Sequence, residues 1–375
     1  MIIHRKLEET VIGKIGTYKV ILILGTRRVG KTYLINRVSE RITGKKMLLN
    51  AEDFDVQEVL KKRTVANYQR LINDTTLLII DEAQAIPEIG SILKLMIDSH
   101  PHLTILATGS SSLDLVNASG EPLTGRSYSY NLYPVAQLEL GNNPLQAQAD
   151  IDERLIIGSY PEIFQINTWI EKEQYLRELI NSYLLKDILS YAGIRQSHKL
   201  MDLLRLIAYQ IGSEVSYNEI SNQLGINKVT VENYLDLLQK VFILFKLPSY
   251  STNHRKEISK GVKWYFYDNG IRNAVINDFR PISLRNDMGM LWENYIISER
   301  IKFNAYNQAG SQLYFWRNYL QREIDLIEVK DSRIHAYEIK YGKDRKVKIP
   351  LAFKTAYPDA DFYKIDSDNY LDFIM

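Results

Sequence analysis

The sequence predicts an α/β protein whose leading part is a parallel sheet covered by helices on both faces. Three observations carry this expectation. Short continuous apolar runs at Val20–Leu24, Leu77–Ile80 and Leu103–Thr108 are separated by stretches whose apolar residues recur at helical spacing. Continuous apolar strands, unlike alternating ones, belong to sheets buried on both sides. The third run in the chain order of strands ends in Asp81-Glu82, placing carboxylates at a strand's carboxyl end, where open α/β sheets bind ligands.

The elements follow in order. The strand Lys19–Leu24 stops at Gly25, and from Lys31 the residues Leu34, Ile35 and Val38 line one face of a helix. Lys46–Asn50 reads as a second strand, Leu77–Ile80 as a third and Leu103–Thr108 as a fourth. Between the last two lies a helix over roughly 88–98, with Ile89, Ile92, Leu93 and Met96 on one side. The Gly/Pro-punctuated passage Gly120–Pro134 and the turn Gly141–Pro144 close a first domain over 1–143.

A second domain, 144–280, is predominantly helical. Within it Ser216–Ile226, a turn at Gly225 and Asn227–Leu238 form a helix-turn-helix, with Ser216 and Glu219 as a capping box. Phe245–Leu247 and Lys263–Phe266 read as wing strands, so the expectation is a winged helix. A third domain, 281–375, mixes a helix near Leu291–Ile301 with strands at Leu313–Trp316, Ile324–Val329 and Ile334–Lys340.

Bulk properties exclude several classes. The 375 residues carry 47 Lys+Arg against 45 Asp+Glu, so any basic surface for nucleic acid or membrane is local. Without cysteine there is no disulfide, thiolate nucleophile or Cys-based zinc site. The amino terminus lacks the apolar core of a signal peptide, and no early apolar run is long enough to span a bilayer. A cytoplasmic protein without membrane association is expected.

Gly25-Thr26-Arg27-Arg28-Val29-Gly30-Lys31-Thr32 obeys Gly-x4-Gly-Lys-Thr between strand and helix. Such a loop turns backbone N–H groups and a helix N-terminus toward phosphate oxygens. Lys31 reaches the β- and γ-phosphates of ATP, and Thr32 ligates Mg²⁺. Asp81 holds Mg²⁺ through water, and Glu82 acts as general base toward an attacking water. Ser110 has two readings, a γ-phosphate sensor or a cap for a helix near Leu113. Arg126 likewise is either an arginine finger, in cis or from a neighbouring subunit, or a surface arginine.

These residues, with Leu132-Tyr133-Pro134, Gly158-Ser159-Tyr160-Pro161-Glu162, Tyr183–Ile188, Leu291–Asn294 and Phe315-Trp316-Arg317, carry a family resemblance. The chain resembles the prokaryotic AAA-like ATPases that have a DUF4143 C-terminal region. Thr26 and Arg28 stand where that family usually has Pro and Gln, and Gly158-Ser159 where two glycines are usual. The resemblance implies a P-loop sheet with an additional strand, a following winged helix, and Glu82 as catalytic.

Two downstream features bear on partners. The wing loop holds His254, Arg255, Lys256, Lys260 and Lys263, suited to a nucleic-acid backbone, although the same module also serves as a lid or protein-docking element. At the C-terminus, Glu293 on a helix and Asp325, Glu338 and Lys340 on adjacent strands resemble the PD-(D/E)XK nuclease core, hence a restriction-endonuclease-like α/β domain. Lys343, Arg345, Lys346 and Lys348 lie nearby. An exposed ion-pair cluster is the plainer reading. The expected function is a Mg²⁺-dependent ATPase, binding ATP and ADP, whose nucleotide state controls the downstream domains. The alternatives are an ATP-regulated DNA or RNA nuclease and a non-enzymatic switch that docks a protein partner or a second copy.

Overall fold

The computed structural model describes residues 3–109, 123–141, 143–184, 197–251, 261–342 and 346–375. The first sheet contains β1 (Val20–Leu24), β2 (Lys46–Asn50), β3 (Leu77–Asp81), β4 (Thr104–Gly109) and β5 (Ser127–Asn131). Its strand order is β2-β3-β4-β1-β5, with every pairing parallel. β1 and β4 are buried at every position, as their unbroken apolar runs demand, whereas the edge strand β2 alternates. β4 lies between β1 and β3, so the additional strand implied by the resemblance is present.

Helices α1 (Leu7–Ile12), α2 (Lys31–Arg41), α3 (Phe54–Lys61), α4 (Val65–Ile72) and α5 (Ile89–Ser99) belong to the same unit, which runs to Tyr133 and also includes Lys240–Phe242. Asp53 and Thr64 cap α3 and α4 through their side chains. The predicted helix at 88–98 is α5, shifted by one residue.

The second compact unit comprises Pro134–Gln239 and Ile243–Met375. Its helices Ser197–Tyr209, Tyr217–Leu224 and Lys228–Lys240 precede an antiparallel hairpin of β6 (Leu244–Pro248) and β7 (Val262–Phe266). Ser216 accepts from the Glu219 N–H, and Gly225 ends its helix at φ 63°, the left-handed cap that glycine favours. The basic residues His254, Arg255, Lys256 and Lys260 lie outside the described residues.

A second sheet, in the order β11-β10-β9-β8, contains β8 (Gln312–Arg317), β9 (Glu323–Lys330), β10 (Arg333–Ile339) and β11 (Asp361–Ile365). β8, β9 and β10 pair antiparallel, and β11 joins β10 in parallel. Trp316, Ile324, Ile327, Ala336 and Phe353 form its core. Lys343 and Arg345 lie outside the described residues.

The helical stretch and this sheet belong to one compact unit, and a buried ion network ties them together. Glu299, on the helix Met288–Tyr306, accepts from the Gln137 N–H (2.6 Å), from Lys302 (2.8 Å) and from Arg154 (3.4 Å). Arg154 also donates to the Gln137 side chain at 2.8 Å, and both Arg154 and Glu299 are fully buried. Removing Arg154 leaves Glu299 paired with Lys302 and the Gln137 N–H but takes a donor from the buried oxygens of Gln137 and Val135. Arg154→Met is therefore expected to lower the unfolding free energy of this unit by about 1–3 kcal/mol, measured by urea denaturation; an unchanged midpoint would contradict that role.

Candidate functional site

The phosphate-binding loop is shaped by its neighbours on both sides. The Gly25 N–H donates to the Gly109 carbonyl (3.2 Å), and the Leu132 N–H donates to the Leu24 carbonyl (2.7 Å). A Cβ on Gly25 would sit 2.3 Å from the Leu132 oxygen, so no larger residue fits. Arg28 at φ 64° and Gly30 at φ 91° then turn the chain into α2. Arg5, buried, donates to the carbonyls of Val29 (2.5 Å) and Tyr133 (2.7 Å), bracing the loop from behind. Sequence reading missed Arg5 because its partners lie 24 and 128 residues away.

Lys31, 3% exposed, folds its ammonium over the loop and donates to the Gly25 and Thr26 carbonyls at 3.1 Å each. Its Nζ is 3.9 Å from Glu82 Oε1. The Thr32 hydroxyl donates to Asp81 Oδ2 at 2.7 Å. Thr108, at the end of β4, donates to Asp81 Oδ1 and accepts from the Glu82 N–H at 3.0 Å. Thr108 was visible in the sequence as a polar strand end, but without an assigned role. Glu82 adopts φ 51°, ψ 43°, a conformation that costs a non-glycine residue about 1–3 kcal/mol. Gln84 donates to its Oε2.

This donor set fits a hydrated divalent cation. One hydroxyl and one carboxylate oxygen, from Thr32 and Asp81, meet at the carboxyl edge of the sheet beside a mobile-length lysine side chain. Thr26, Arg27 and Arg28 complete the loop, with Arg27 4.0 Å from Glu52. Ser110 lies outside the described residues.

Arg126 is placed elsewhere. Its carbonyl accepts from the Val20 N–H, which sets it at the amino end of β1, and its guanidinium holds Asp98 at 2.6 Å. The four residue steps from Val20 to Leu24 put roughly 13 Å between it and the phosphate loop. The cis arginine-finger reading is therefore corrected: within its own chain Arg126 stands at the wrong edge of the sheet.

The four C-terminal residues fall into two lysine-centred groups. Lys340 lies 3.0 Å from Asp325 and 2.7 Å from Glu338, and Asp325 also accepts from the Ile339 N–H at 2.7 Å. Glu293 instead accepts from the Tyr265 hydroxyl (2.6 Å) and lies 3.6 Å from Lys263, which also pairs with Glu323. Lys263 lies on β7, the expected wing strand, but its side chain is 1% exposed and enters this cluster rather than facing a nucleic-acid backbone. Among the described residues no three acidic or histidine side chains converge in a metal-holding arrangement. Burial pushes the Glu293 carboxyl up to about 7, against the pull of Lys263 and with added repulsion from Asp325. Burial and Asp325 also raise Glu338.

The comparisons agree with the first sheet and leave the C-terminal chemistry open. Residues 17–141 match the family described as an AAA domain. Residues 148–281 match DUF8612 and residues 288–369 match DUF4143, both described as domains of unknown function. An uncharacterised protein of Mycobacterium tuberculosis is 26% identical over 329 residues, covering 86% of this chain and 70% of that one. One from Methanocaldococcus jannaschii is 24% identical over 387 residues, covering 94% and 85% respectively. A Walker-type ATPase of Pyrococcus abyssi shares the fold, with a TM-score of 0.50 and 16% identity over 73% of this chain and 96% of that one. Among the described residues no helix is long and apolar enough to cross a membrane.

The Glu293 shift has a measurable sign. An acid raised on folding binds more protons folded than unfolded between 4.5 and about 7. Its stabilising contribution is complete below the lower value and is lost as pH rises through the upper one. Thermal unfolding midpoints should therefore fall across this window, and Glu293→Gln should flatten the fall; parallel curves for the two proteins would contradict the assignment.

Proposed function

We propose, on the premise that the chain carries an AAA-type P-loop ATPase domain followed by a DUF4143 region, that it is a Mg²⁺-dependent ATPase. The observation that supports this reading is the convergence of Lys31, Thr32, Asp81 and Glu82 at one edge of the first sheet. With ATP in place, the Lys31 ammonium exchanges the Gly25 and Thr26 carbonyls for β- and γ-phosphate oxygens. Thr32 and Asp81 would hold Mg²⁺, which when bound would supply positive charge against the developing phosphate charge. Thr108 keeps the Asp81 carboxylate in position. Glu82, held by Gln84, orients the attacking water and accepts its proton.

The same reading gives the downstream domains the role of responders to nucleotide state, with nucleic acid, a protein or a second copy as partner. Arg126, at the amino edge, would act only on a neighbouring subunit's nucleotide. Nuclease chemistry is the weaker alternative. Asp325 and Glu338 share Lys340, and Lys263 pairs with both Glu293 and Glu323.

Two substitutions separate binding from hydrolysis. Lys31→Ala should abolish measurable ATP binding in equilibrium titration. Glu82→Gln should retain binding while turnover falls by about 100-fold or more, the size expected for loss of a general base. Undiminished phosphate release by both variants would defeat the mechanism.

A further inference from the structure

A groove of about 600 Å³ opens between the second half of the helix Met288–Tyr306, the strands β9–β11 and the helix Tyr370–Ile374. It lies across the sheet from the Asp325–Glu338 group. His335 pairs with Glu328 and Tyr337 with Leu326, while Ile327 and Ala336, in register with each other, point to the opposite face with the Trp316–Phe353 core. Neither the nucleotide site nor the carboxylate cluster uses it.

One wall is aromatic. Tyr337 and Tyr363 stack with centroids 5.5 Å apart at 23°, Phe373 packs on Tyr337 at 4.6 Å, and Tyr363 is 46% exposed. The charges along the groove are largely answered from within. Arg300 is held by Glu328 (2.7 Å) and the Phe373 carbonyl (2.6 Å), and Lys364 pairs with Asp366 at 2.5 Å.

Two polar atoms are not answered. Asn304 Oδ1 and Ser311 Oγ are buried without a hydrogen-bond partner among the described residues, and both residues line the groove. The Asn304 amide nitrogen donates to Glu328 at 2.7 Å, which anchors this side chain. Buried polar groups left unpaired oppose folding and mark places where something else completes the bond. A ligand that satisfies these features is flat, close to neutral, stacks on a tyrosine ring, and offers an N–H to an amide oxygen and a polar edge to a hydroxyl. A groove of this volume with a few fixed polar groups is of small-ligand size.

We propose that this groove binds a nucleobase, supplied either by a free nucleoside or by an unpaired nucleotide of a single strand. Tyr363 is the stacking platform; a small shift of the Asn304 and Ser311 side chains, whose oxygens are buried in the groove wall, lets Asn304 accept from a base N–H and Ser311 meet a second edge atom. Lys330, exposed on the rim, faces the phosphate when the base belongs to a strand.

The test uses the full chain carrying Lys31→Ala, so that the phosphate loop does not compete. Adenosine, cytidine, guanosine and uridine are titrated calorimetrically, and labelled single strands of each base by anisotropy. At least one probe should bind, and Tyr363→Ala should weaken it by about 5- to 100-fold, as loss of a base-stacking ring does. Ser311→Ala should weaken it several-fold while thermal stability holds or rises, since that hydroxyl has no hydrogen-bond partner among the described residues. Binding of nucleosides and strands assigns the base alone as ligand; binding of strands only assigns a base within a polymer. No binding at millimolar concentration, binding indifferent to both substitutions, or a preference for N-acetyl-tyrosinamide over every nucleoside would overturn the proposal.

Discussion

The candidate nucleotide site depends on the insertion of β4 between β1 and β3. A parallel sheet gathers the carboxyl ends of its strands at one edge, and the inserted strand brings Thr108 beside Asp81 there. Thr32 reaches the other oxygen of the same carboxylate from the first turn of α2. Asp81 is thus fixed from two directions by hydroxyl donors, one from the first turn of α2 and one from the end of β4. Glycine at position 25 then allows Leu132, just after β5, to approach within a distance that a side chain would forbid. The loop, the metal-ligand candidates and the catalytic-base candidate all follow from that one strand order.

The two acidic centres differ in how their charge is met. Around Asp81 the donors are hydroxyls and a backbone N–H, which carry no net charge and leave a carboxylate able to attract a cation. Around Asp325, Glu338, Glu293 and Glu323 the donors include two lysines, so much of the negative charge is already balanced. The buried position of Glu293 pushes its carboxyl toward the neutral form, which further lessens the negative charge in that cluster.

Much of this was legible in the sequence where the signal is local. The loop from Gly25 to Thr32 and the pair Asp81-Glu82 are each written within eight residues, and the strands that carry them are unbroken apolar runs. Period two likewise put Glu338 and Lys340 side by side, and Lys340 does contact Glu338. What escaped depends on partners far along the chain. Arg5 braces Val29 and Tyr133, and Lys263 enters a cluster 60 residues downstream at Glu323; neither contact leaves a pattern in sequence. Arg126 shows the opposite failure. Its place after a polar loop resembled a catalytic position, but only the register of β5 against β1 reveals which edge of the sheet it occupies.

The claim at the centre is that Thr32 and Asp81 form a Mg²⁺-assisted nucleotide site. The direct measurement is ATP affinity with and without Mg²⁺ for the unaltered chain and for Asp81→Asn. The account predicts that Mg²⁺ tightens ATP binding to the unaltered chain and that Asp81→Asn loses most of that gain while keeping its metal-free affinity. ATP affinity of the unaltered chain that is indifferent to Mg²⁺ would contradict it.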